Sequence, residues 1–204
     1  LQLGVGHTFI FTGAVRMIRS LIENGDLGTP LYFDSCRVNL GLLQEDVDVS
    51  WDLAVHDVAI LNFITGKRPV SVTAVGVAHP PSRQRSAAYL TFLYDDAFSA
   101  HVNVNWMSPV KIRRTLVGGS RRMIVWDDLE PSEKVRVYDS GVDEVTDPES
   151  RRTRLVEYRT GDMLAPRIDQ VEALGRELQM FADAIVSGCE IPNSGRHGLE
   201  VVRA

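Results

Sequence analysis

A chain of 204 residues can bury roughly 70% of its unfolded surface, so a single core is expected. Its apolar fraction of 44%, charged fraction of 24% and net charge of -5 are those of an ordinary globular protein and give no reason to expect a nucleic-acid or anionic-membrane partner. No apolar run reaches the ~18 residues of a membrane span. Cys36 and Cys189 are too few for a disulfide framework, which points to two free thiols in a reducing cytoplasm, with one long-range bridge as the alternative.

The chain opens with "LQLGVGHTFIF", an apolar run that reads as a strand. "TGAVRMIRSLIENGDLG" follows with helical spacing: Val15, Ile18, Leu21 and Ile22 share a face, Thr12 is a fitting N-cap, and Gly25 suits a left-handed C-terminal position. "PLYFDSCRVNL" is a strand and "GLLQEDVDV" a loop. The loop leads into a helix from Trp51 to Thr65 that Gly66 and Pro69 close. From residue 70 the period falls to two. "VSVTAVGVA" is a strand, and "AAYLTFLY" with "FSAHVNVNW" forms a hairpin about Asp95 and Asp96. In its second arm Phe98, Ala100, Val102, Val104 and Trp106 face one way, while Ser99, His101, Asn103 and Asn105 face the other. "KIRRTLVG", "RRMIVWD" and "KVRVYD" continue the meander. "SGVDEVTDPESRRTR" reads as a polar loop, "RLVEYRT" as a further strand, and "TGDMLAP" as another polar loop. Val171, Leu174, Leu178, Phe181 and Ile185 then run at spacings 3-4-3-4, an amphipathic helix that ends at Gly188. "GLEVVRA" opens one more helix. The expected fold is α+β, a large, mainly antiparallel mixed sheet with helices on one face. Both ends fall inside elements, so residues 1–204 are expected to be one α+β domain of a longer protein.

The helix around "SWDLAVHDVAIL" is apolar almost all round, yet Asp52, His56 and Asp57 sit inside it. Buried charges are costly unless paired or used. Asp52 and His56 lie one helical turn apart, so the carboxylate could fix the imidazole and raise its basicity, making His56 a general base. The competing reading is structural: an acid in a first turn is favoured by the helix dipole, and Asp57 could bond a loop. Asp-x-x-x-His supplies only two metal ligands and no other histidine matches its spacing, so no metal is expected. No glycine-rich phosphate loop is present: "GVG" at residues 4–6 lacks its third glycine. Arg37 and Asn39 share a strand face, as do Lys111 and Arg113, and an Arg fork suits phosphate, although a solvated face explains such pairs equally well. Trp51 could stack on a ring or simply fill the core.

"GHTFIF", "GDLGTPLYFDSCRVNLG" and "WDLAVHDVAIL" resemble the glucose–fructose oxidoreductase, inositol dehydrogenase and MocA family. So do "NWMSPVKIRRTLVGGSRRMIVWDD" and "FADAIVSGCEIPNSGRHGLEVV", in family order and across the whole chain. Among its branches, the one acting on nucleotide-linked sugars looks most similar. The resemblance implies the C-terminal substrate and dimerisation domain of a dehydrogenase. The N-terminal domain that binds NAD or NADP and carries a catalytic Lys would lie outside this chain. It implies catalytic roles for His56, as proton acceptor, and Asp52, as its orienting partner. Arg37, Asn39, Trp51, Lys111 and Arg113 are the candidate contacts for a sugar or nucleotide-sugar. The face carrying Ser99, His101, Asn103 and Asn105 suits a second copy in a homo-oligomer, or water. The alternative is a sugar-binding or dimerisation module without catalysis.

Overall fold

An eight-stranded sheet with helices on one side is the frame of the chain. The computed structural model describes residues 1–41, 43–81, 83–144 and 156–204. Helix α1 (Gly13–Glu23) precedes β1 (Pro30–Leu40), and α2 (Val55–Thr65) follows it. Then come β2 (Ser71–Val77), β3 (Ala87–Leu93), β4 (Ser99–Asn105), β5 (Met107–Gly119), β6 (Met123–Asp127) and β7 (Val135–Tyr138). A small hairpin, β8 (Gly141–Glu144) with β9 (Val156–Arg159), leads to β10 (Met163–Leu164), α3 (Ala173–Ser187) and α4 (Gly195–Arg203). The strand order is β10-β7-β6-β5-β1-β4-β3-β2. Only β1 with β4 is parallel; the other pairs in this sheet are antiparallel.

The expected α+β architecture is therefore present, and period two explains it. Phe33, Ser35 and Arg37 of β1 align with Ala100, Val102 and Val104 of β4 and with Val117, Thr115 and Arg113 of β5. On that inner face lie Phe92, Ala100, Val102, Val104, Val117, Ile124 and Trp126, all buried under the helices. A row of such side chains, each worth about 1.5–3 kcal/mol on burial, carries most of the sheet's stabilisation. The opposite face carries Tyr89, Leu93, Ser99, His101 and Asn103 partly or largely in water. Helix α1 behaves as its pattern predicts, with Thr12 accepting a hydrogen bond from the Val15 amide and Val15 and Ile18 buried. Helix α2 is the central one, with Val58 to Leu61 buried in succession, so its charges stand among apolar neighbours. Gly66 (φ 64°) ends it in the left-handed region, where its amide bonds the Asn62 carbonyl.

Several expectations change. Leu1–Gly6 makes one isolated bridge, Gly4 to Ser194, and no strand, while Thr8–Phe11 is a 3-10 turn that buries Ile10 and Phe11. Those apolar side chains are spent on a turn under the helices and not on a ladder. The helix expected from Trp51 begins as a wider π-type turn, Ser50–Ala54, and becomes α-helical at Val55. Gly141–Glu144, read as loop, pairs with Val156–Arg159, and Met163–Leu164 adds a short edge to β7. The remainder of that expected loop, residues 145–154, lies outside the described residues. In α3 the apolar stripe Leu174, Leu178 and Ile185 is exposed, and the helix instead buries Glu177 and Ala184. Glu177 tolerates burial because its carboxylate receives the Thr8 hydroxyl (2.7 Å) and the Asn193 amide (2.7 Å). Cys36 and Cys189 are free thiols. Among the described residues no helix is long and apolar enough to cross a membrane.

Candidate functional site

The site is built where the turn before α2 meets the inner face of β1 and β5. Asp48 starts it: its carboxylate caps the amides of Ser50 (3.0 Å) and Trp51 (3.3 Å), and Arg85 holds its other oxygen (3.2 Å). The π-type turn that follows widens the backbone locally, a device common at functional sites. It directs Asp52 toward the end of β4 and leaves Trp51 56% exposed at the rim. Trp51 is thus a surface ring and not core.

Asp52 does not orient His56. Its Oδ2 accepts the indole N–H of the fully buried Trp106 at 2.8 Å. The expected carboxylate–imidazole bond is replaced because the indole N–H would otherwise be a buried donor without a partner. His56 packs on the edge of Phe9, ring centroids 5.1 Å apart at 60°. Its Nδ1 is buried and makes no hydrogen bond. Burial disfavours the charged imidazole most, and the Arg37 and Arg113 guanidiniums add to that. Asp57 and Asp52 oppose it, each less than Arg37 though more than Arg113, and with burial leading the His56 pKa falls below the usual 6.5. The expected rise in basicity is thus reversed: burial and the Arg37 guanidinium hold the His56 pKa below the ordinary histidine value.

Arg37 is also corrected. Its guanidinium, 4% exposed, is bidentate on Asp57 (Nε–Oδ2 2.7 Å, Nη2–Oδ1 3.2 Å), and Asp57 is 1% exposed. Ser35 donates to the same carboxylate at 2.7 Å and lies 3.4 Å from the Thr115 hydroxyl. The fork expected to meet a phosphate is closed on a carboxylate of its own chain. A buried charge requires such a partner, and the strand-to-helix crossing supplies it. Arg113, opposite Arg37 in the β1–β5 register, is different. Its side chain is 30% exposed, its nearest carboxylate is Asp128 at 3.6 Å, and its Nε is buried without a partner. Lys111 is exposed and Asn39 half-buried, both further along the same strands. The structure thus brings His56, Asp52, Arg37 and Arg113 into one neighbourhood and leaves Trp51 at its rim. Phe9, Ser35 and Trp106 belong to it as well: period two had turned Trp106 inward, but no spacing tied it, Ser35 or Phe9 to Asp52 and His56. Among the described residues no group of three or more His, Cys, Asp or Glu side chains is placed to hold a metal ion.

With this geometry in view, comparison with known proteins gives the chain a family. UDP-N-acetylglucosamine 3-dehydrogenase of Acidithiobacillus ferrooxidans is 27% identical over 194 residues, 91% of this chain and 58% of that protein. A solved structure of that enzyme matches the whole chain with a TM-score of 0.78 at 22% identity, the match covering 59% of it. An oxidoreductase of Agrobacterium radiobacter, solved with NAD+, L-tartaric acid and magnesium, gives a TM-score of 0.71 at 16% identity over 98% of this chain and 60% of that one. At such identities the structural matches show the fold alone, and the chain spans about three fifths of the length of these relatives. The family model of the GFO/IDH/MocA C-terminal domain matches residues 15–125, more than half of the chain and both strands and the helix that build the site. This chain belongs to the GFO/IDH/MocA C-terminal domain family.

Proposed function

We propose that this chain is the substrate-side part of an NAD(P)-dependent dehydrogenase that oxidises a sugar hydroxyl, more narrowly that of a nucleotide-linked sugar, with His56 as proton acceptor. The observation that carries the reading is the placement of His56: half-buried, packed on Phe9, and without a hydrogen bond at Nδ1. A neutral imidazole is the form that accepts a proton at pH 7. The related dehydrogenase from A. ferrooxidans, named for UDP-N-acetylglucosamine, supports the substrate class.

A dinucleotide would be held mainly outside this chain, whose 204 residues contain no glycine-rich strand–turn–helix unit. NAD+ in the A. radiobacter oxidoreductase supports this cofactor class. When bound, the nicotinamide accepts the hydride. The chain's own residues do the rest. His56 takes the hydroxyl proton, and Asp52 keeps Trp106 and the turn in place. Trp51 offers an aromatic face to a sugar ring. Arg113, Lys111 and Asn39 present donors from β5 and β1, of which Arg113 suits a phosphate. The outer sheet face, with Tyr89 and Leu93 exposed beside the His101 and Asn103 stripe, suits a second copy.

The test uses the protein expressed from its whole coding sequence. With UDP-linked and free sugars, cofactor reduction should be observed, and His56→Ala should lower kcat by ~10²-fold or more. Sugar binding that persists without cofactor reduction, and is indifferent to His56→Ala, would leave a binding or dimerisation module instead.

A further inference from the structure

We propose that Phe9 and Arg37 are positioning residues for His56: the Phe9 ring, stacked on the guanidinium that Asp57 locks, carries the imidazole on its edge and sets it beside a fixed positive charge. The proposal rests on the reading of His56 as proton acceptor and adds to it the parts that hold the imidazole.

Three distances define the arrangement. The Arg37 Cζ lies 4.5 Å from the Phe9 ring centroid, the Arg113 Cζ lies 5.7 Å from it, and the His56 ring is 5.1 Å away at 60°. One phenyl ring thus touches both guanidiniums and the imidazole. It cannot drift, because Phe9 sits in the turn anchored by the buried Ile10 and Phe11, and its carbonyl receives the Thr12 hydroxyl at 2.8 Å. Arg37 cannot drift either, being bidentate on Asp57. A guanidinium stays charged at every relevant pH, and an apolar ring between two polar groups excludes the water that would screen them.

The groups facing His56 come from every packed element. Asp52 and Asp57 on its own helical segment favour the charged imidazole, whereas Arg37 from β1 and Arg113 from β5 oppose it. His7, ahead of the turn, is close enough to be influenced by His56. Burial leads, and among the charges Arg37 acts more strongly than either carboxylate. The chemical consequence is a base held ready. A carboxylate-bonded His56 would instead be partly protonated near neutrality.

The experiment is an NMR titration of the His56 ring in the protein expressed from its whole coding sequence, with three variants. Phe9→Leu removes the ring but not the apolar volume, and should move the midpoint up toward 6.5, the ordinary histidine value. Arg37→Gln with Asp57→Asn removes both charges together, so no buried charge is left single. It should also move the midpoint up, since Arg37 acts more strongly than Asp57. Arg37→Lys keeps the charge and should leave the midpoint low. A midpoint unmoved in both Phe9→Leu and the double variant would overturn the proposal, because burial alone would then set it. A midpoint that rises equally in Arg37→Lys would remove the fixed charge from it. If the double variant does not fold, as its amide spectrum would show, Phe9→Leu decides alone. None of these readouts needs turnover, so failure of the positioning proposal is separable from failure of His56 as a base.

Discussion

Asp57→Ala is the sharpest stability test of the site. Its carboxylate receives three hydrogen bonds, from Ser35 (2.7 Å) and from two nitrogens of Arg37 (2.7 and 3.2 Å), and neither charged partner is more than 4% exposed. Removing Asp57 leaves a guanidinium buried with no carboxylate, a change that costs about 3–5 kcal/mol. Against a total of about 5–15 kcal/mol for a domain, that is a large share. The double change Arg37→Met with Asp57→Asn should behave differently. It leaves no charge, and an amide oxygen can still accept from Ser35, so its cost should be well below that of Asp57→Ala. Urea denaturation of both, with the denaturant slope compared, measures the difference. A loss under ~1 kcal/mol for Asp57→Ala, the range of an exposed pair, would refute the reasoning. So would a double variant less stable than Asp57→Ala.

Other consequences can be checked with the same assays. Stability should fall as pH drops from 6.5 toward 4, because burial, with His197 and His56 adding to it, pushes His7 down to about 4 and the unfolded chain then binds the proton first. His7→Gln should flatten that slope. Gly119→Ala should cost about 1–3 kcal/mol, since its Cβ would stand 2.2 Å from the Leu27 carbonyl oxygen, whereas Gly6→Ala meets nothing within 4 Å. Thermal melts of the two would settle the contrast. Leu178→Asp, on the exposed stripe of α3, should change stability by no more than about 0.5 kcal/mol in this chain. Tyr89→Glu, on the outer sheet face, should leave the protein monomeric by sedimentation if two copies pair there.

What the residue pattern revealed and what it hid have separate physical causes. Period two made the β3–β4 hairpin and the inward row Phe98 to Trp106 legible, because alternation is a local property of the chain. Thr12, Gly25 and Gly66 marked the ends of α1 and α2 for the same reason. Helical spacing brought Asp52 next to His56, and this is where local reasoning failed. The carboxylate had a stronger claimant in Trp106, 54 residues away. Arg37 had one in Asp57, 20 residues away. No periodicity connects such pairs. The stripe of α3 shows the same limit, since its spacing predicted an amphipathic helix correctly but not which face this chain would bury. The sequence by itself determined most of the helices and strands, the sheet's inner face and the presence of charges in a buried helix, all of which follow from near-neighbour sterics and hydrophobic period. Only the tertiary structure decided which charge meets which partner, and so which way the surroundings of His56 move its pKa, because burial and Coulomb energy depend on distances that chain folding alone brings about.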